Sequence, residues 1–128
     1  MATTNTVYIF HGRDSSPQGR KIQALTAIAR LCGWKVIVPD FRKIKDPDER
    51  VKRFLDEYEE QPAGKTILAG SSMGSYVAIE ASKTIKPDAL FLLAPAIYIE
   101  GYGQINPEPV AGHITVVHGW DDKLISPS

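Results

Sequence analysis

The sequence holds a single cysteine, Cys32, so no disulfide can close within the chain. It has no second cysteine or carboxylate beside it on the apolar side of a predicted helix, and reads as a small core residue. An excess of either charge is also missing, since Lys plus Arg and Asp plus Glu each number 15 among 128 residues. Without a basic excess, a nucleic-acid or anionic-membrane partner is not expected. The charges that do cluster, in RKIKDPDERVKR (42–53), mix both signs and read as the solvated face of a helix. No run approaches the roughly 18 apolar residues of a membrane span. MATTNTVYIF at the N-terminus lacks the basic region and long apolar stretch of a signal peptide. There is no His/Cys/Asp cluster at ligand spacing, so no metal or other cofactor is expected. These absences together predict a soluble, cytoplasmic protein.

The chain is long enough for one core and too short for two, and it contains neither repeats nor an internal linker. Five short apolar runs, TVYIF (6–10), KVIV (35–38), KTILAG (65–70), DALFLLA (88–94) and HITVVHG (113–119), read as strands. They are continuously apolar rather than alternating, and helices separate most of them. That pattern predicts a mostly parallel sheet covered on both faces, a three-layer α/β/α sandwich. Ser16 and Pro17 suit the start of the first helix, with Ile22, Leu25, Ile28 or Ala29, and Cys32 on its apolar side and Gly33 as its C-terminal cap. Asp46-Pro47 opens a second helix whose stripe is Val51, Phe54, Leu55 and Tyr58. A third, small and apolar, runs from Met73 to about Thr84. Residues 95–112, PAIYIEGYGQINPEPVAG, carry three prolines and three glycines and read as a long loop.

Ligands of open parallel sheets bind at the carboxyl ends of strands, and three motifs lie there. Gly70-Ser71-Ser72-Met73-Gly74 is a G-x-S-x-G between a strand and a helix, the setting that exposes a nucleophilic hydroxyl on a strained turn. The alternative is a structural serine in a tight βα turn. His11-Gly12 follows the first strand; its glycine would let backbone approach a substrate, or His11 simply packs against the turn. The spacing of Gly12 from Gly19-Arg20-Lys21 is too long for a phosphate loop, and no Ser or Thr follows the lysine. His118-Gly119-Trp120-Asp121-Asp122 ends the fifth strand in acids, with Asp122 favoured over Asp121 by spacing. Either aspartate could instead cap a following helix.

In this order and at these strand ends, the motifs resemble the α/β-hydrolase fold, specifically its small, lid-poor bacterial esterase-type serine hydrolases. HGRDSSPQGRKIQAL (11–25) is similar to the HG-x-x-SSP-x-x-x-K-x-Q stretch of such esterases. The resemblance implies a nucleophile at Ser72, an acid at Asp122, elbow glycines at Gly70 and Gly74, and His11-Gly12 as support. It also implies oxyanion donors in the backbone N–H groups of Met73 and Arg13. The expected activity is cleavage of a small carboxylic ester or thioester through an acyl-enzyme, with Tyr98 and Tyr102 of the 95–112 loop either bordering the pocket or covering the sheet end. The family's histidine follows the acid after one more strand, yet none follows Asp122. His113 begins its strand, His118 precedes a turn glycine and His11 ends a rigid strand, so none is expected to act as base. The final strand, the histidine and the last helix are therefore expected outside this chain, making the domain incomplete. Two other readings stay open: a non-catalytic member that binds a ligand or protein, and a homodimer in which one copy lends the base.

Overall fold

The structure, a computed structural model, describes residues 4–59, 64–93 and 109–117. Five parallel strands, β1 (Thr6–Phe10), β2 (Lys35–Ile37), β3 (Thr66–Ser71), β4 (Ala89–Leu93) and β5 (His113–Val117), stand in the order β2-β1-β3-β4-β5. Register runs Thr6 to Lys35 on one side of β1 and Thr6 to Thr66 on the other. The helices are α1 (Arg20–Leu31), α2 (Pro47–Glu57) and α3 (Met73–Ile85). All five expected strands are present.

Side chains of β1 leave the sheet alternately, and both sets are buried. Tyr8 and Phe10 join Phe54 of α2 and Val77, Ala78 and Ala81 of α3 in one layer. Val7 and Ile9 join Ile22 of α1 in the other. Two-sided burial is why these strands are continuously apolar. α3 is buried along most of its length, so its small residues serve close approach to the sheet. α2 starts as expected, with Asp46 Oδ2 accepting from Glu49 N–H at 3.0 Å and Pro47 in the first turn. Gly33, at φ +82°, ends α1 as expected; its N–H donates to Arg30 O, and that of Trp34 to Ala29 O.

Three details differ from the sequence reading. α1 begins at Arg20 rather than Pro17, because Ser16 is spent on a turn: its Oγ accepts from Gln18 N–H at 3.1 Å and its carbonyl from Gly19 N–H at 3.0 Å. Cys32 is exposed rather than core, and of the alternatives Ile28 and Ala29 it is Ala29 that packs against the core while Ile28 is exposed. α1 covers only part of its sheet face and leaves a groove of about 310 Å³, with Leu25, Ile28 and Cys32 on one wall and Ile67, Ala69 and Phe91 on the other. β5, expected to be covered, is exposed throughout and stands at one edge of the described sheet. Among the described residues no helix is long and apolar enough to cross a membrane.

Candidate active site

The strand order reverses direction at β1: the chain goes outward to β2, then returns to the other side as β3. Such a switch point opens a crevice between the two loops that leave in opposite directions. Here those loops are His11-Gly12-Arg13, after β1, and Ser72, after β3. An ideal Cβ placed on Gly12 would lie 3.4 Å from Ser72 Cβ and 3.5 Å from Ser71 O. Two motifs 60 residues apart in sequence are therefore neighbours in space, with room for one side-chain carbon between them.

Ser72 has φ +57° and ψ −121°, a conformation that non-glycine residues rarely hold and that costs on the order of 1–3 kcal/mol. The surroundings enforce it. Ser72 N–H donates to Leu93 O at 2.9 Å, and Ser72 O accepts from Ser75 N–H at 2.9 Å. Ser75 Oγ donates to Gly70 O at 3.0 Å and reaches Leu93 O at 3.3 Å. Although Ser72 is the N-cap of α3, its side chain makes no capping bond, and the residue is half-buried. Its neighbours are not equivalent: Ser71 is buried at the end of β3, and the Ser75 hydroxyl is committed to the two carbonyls. Gly70 and Gly74 give clearance, and neither has a positive φ. A Cβ on Gly70 would fall on the Gly74 carbonyl, and one on Gly74 on the Phe10 carbonyl of β1.

Residues 5–105 match the model of an uncharacterised protein family, UPF0227. The chain belongs to that family. Among solved structures, it is 32% identical to a Xanthomonas campestris pv. campestris protein assigned to the α/β superfamily of hydrolases, over 94% of this chain and 75% of that one, with a TM-score of 0.81. A lidless α/β serine hydrolase from Xanthomonas campestris shares 19% identity over 98% of this chain and 63% of that one, at a TM-score of 0.70. For mouse alpha/beta hydrolase domain-containing protein 10 the figures are 23%, 77%, 44% and 0.60. The chain thus spans less than two thirds of the last two, whose likeness is one of fold. No curated protein matches the chain closely enough to count as a relative. This UPF0227 chain has the α/β-hydrolase fold, and the solved proteins it resembles carry hydrolase names.

His11 is fully buried and both ring nitrogens are occupied. Nε2 accepts from Phe41 N–H at 2.8 Å, so the proton sits on Nδ1, which donates to Gly12 O at 2.8 Å. Burial holds its pKa below the ordinary value; the bond to Gly12 O opposes that, and the nearby Arg50 cation adds to it. Smaller effects come from Asp40, which raises it, and Arg42, which lowers it. His11 is a neutral tie between two loops with no nitrogen left to serve a reacting group. His113 opens β5, and its N–H donates to Asp88 O at the amino edge of the sheet, away from Ser72. His118 and Asp122, together with Tyr98 and Tyr102, lie outside the described residues.

A pH dependence follows. The folded pKa of His11 is depressed, so below the ordinary value of about 6.5 the unfolded chain takes a proton that the folded one refuses. Stability is unaffected by His11 above that pH and falls as pH drops from about 6.5 towards the lowered folded value. Urea midpoints at pH 7.5 and 5.5 should show an acid-side loss in wild type that shrinks in His11→Gln. An equal loss in both would exclude His11 as the source.

Sequence reasoning missed Arg50. Expected on the solvated face of α2, it is instead fully buried. Its Nε donates to Ile44 O at 2.6 Å, one terminal nitrogen to His11 O at 3.0 Å and Gly12 O at 3.2 Å, and the other to Arg13 O and Phe41 O, each at 3.2 Å. Its guanidinium carbon lies 5.9 Å from the centre of the Phe41 ring. A buried cation is tolerable only when its N–H groups find acceptors, and this one meets five carbonyls. An arginine between Glu49 and Val51, in a run of mixed charges, leaves no mark of its burial in a charge pattern. Lys45 Nζ also reaches Arg13 O, at 3.2 Å.

Proposed function

We propose that this protein is a serine hydrolase that cleaves a small carboxylic ester or thioester through an acyl-enzyme. The observation that carries the reading is Ser72, a non-glycine residue held at φ +57° at the head of α3 with its hydroxyl spared from capping. Strain of this kind persists where function needs it, and the strand–turn–helix setting is that of a nucleophile elbow. Ser72 Oγ attacks the substrate carbonyl carbon. The oxygen that gains charge is met by the N–H of Met73, at the positive end of α3, and the N–H of Arg13 across the crevice. The alcohol or thiol leaves with a proton, and water then releases the acid and regenerates Ser72. With both nitrogens of His11 engaged and His113 at the opposite edge, the proton acceptor is a group outside the described residues, which Asp122 would orient.

A fluorophosphonate probe tests this directly. Intact-mass and peptide analysis should find one adduct on Ser72 in wild type and none in Ser72→Ala. A folded wild type that takes up no label, or an equally labelled alanine variant, would instead favour a binding protein on the same scaffold.

A further inference from the structure

We infer that Arg50 is a positioning residue of the oxyanion site, which its guanidinium builds by pinning three successive peptides from behind. The inference rests on the hydrolase reading above. A peptide is planar and trans, so its C=O and the following N–H point in opposite directions. Fixing Gly12 O therefore fixes the direction of Arg13 N–H. Gly12 O receives three donors, His11 Nδ1 at 2.8 Å, Arg50 at 3.2 Å and Ser15 N–H at 3.3 Å. Arg13 N–H is thereby turned to the side of the peptide away from the guanidinium. Arg50 holds the peptides on either side as well, through His11 O and Arg13 O.

The anchor is itself anchored. Arg50 also donates to Phe41 O and Ile44 O, while Phe41 N–H donates back to His11 Nε2. The loop after β2 thus forms a rigid back wall for the loop after β1. Two consequences favour a developing anion. The N–H donors are oriented before substrate arrives, so nothing has to reorganise during the reaction. A cation bonded to the carbonyl end also polarises the peptide and strengthens its N–H as a donor. Only a guanidinium has five N–H groups in one plane; a lysine ammonium has three and lacks the fork.

Arg50→Lys keeps the charge and removes the fork. On p-nitrophenyl acetate its kcat should fall about 10²-fold with KM within about twofold, because the lost interaction forms only in the transition state. In the ¹H–¹⁵N spectrum the Arg13 amide should shift while the amides of Val77 to Ala81 in α3 stay in place. Exposed Lys52→Ala on the same helix should change neither readout. A folded Arg50→Lys variant with wild-type kcat, or with an unmoved Arg13 amide, overturns the inference and leaves the hydrolase reading standing. Were Arg50→Lys not to fold, the wild-type protein decides: coupling across the hydrogen bond between the Arg50 guanidinium and the Gly12 carbonyl supports the pinning, and its absence overturns it. A folded wild type without Ser72-dependent turnover overturns the hydrolase reading, and the catalytic role of Arg50 with it.

Discussion

Replacing Ser72 with alanine is expected to lower ester hydrolysis by about 10⁴–10⁶-fold, the loss seen when a triad nucleophile is removed. Stability should stay within about 0.5 kcal/mol of wild type, the range of substitutions that break no cap or buried contact. An N-cap serine usually stabilises its helix by about 1 kcal/mol through its side-chain oxygen, but Ser72 makes no such bond, so none is lost. Alanine also carries a Cβ and inherits the same strained backbone. A serine kept only to shape the turn would show the reverse, intact activity with a lower melting temperature. Ser72→Gly sharpens the contrast: it should be equally inactive yet more stable by about 1 kcal/mol or more, since glycine relieves the strain of φ +57°. Kinetics and thermal melts on the three proteins decide the matter. A glycine variant no more stable than wild type would show that the turn is not strained.

The second large effect is on stability. In Gly74→Ala the added methyl would fall on the carbonyl of Phe10, a fully buried residue of β1. Backbone in the middle of a parallel sheet cannot swing aside as a side chain could. Relief requires α3 to lift, which uncovers Val77, Ala78 and Ala81. The expected cost is at least about 3 kcal/mol, the upper end for overpacking, out of a total of about 5–15. Gly33→Ala is the comparison, because nothing lies within 4 Å of its Cβ position and only φ +82° opposes a side chain there. It should cost about 1–2 kcal/mol. Urea midpoints rank the two, and a Gly74→Ala midpoint equal to wild type would refute the close packing of α3 on β1.

Local pattern reported the scaffold well. The runs TVYIF, KTILAG and DALFLLA supplied β1, β3 and β4 because burial on two faces favours apolar residues along the whole strand. Asp46-Pro47 and Gly33 marked their helix ends through bonds formed within a few residues. What pattern misread depends on distant partners. Cys32 kept helical spacing with the core, yet whether that side of α1 is covered depends on how far the helix reaches across the sheet. Ser16 was a plausible cap, but the turn at Gly19 engaged it first.

By itself, then, the sequence determined five parallel strands, the helices between them and the turn that carries Ser72, since each follows from burial period or bonding within a few residues. Tertiary structure alone decided that Gly12 lies beside the Ser72 turn, which carbonyls Gly70 and Gly74 must clear, and which groups the His11 ring ties together. It also decided that Arg50 leaves the charged face of α2 for a ring of carbonyls contributed by two loops, 38 residues from Gly12 and six from Ile44. A buried charge is stable only where such acceptors converge, and convergence is a property of the folded chain.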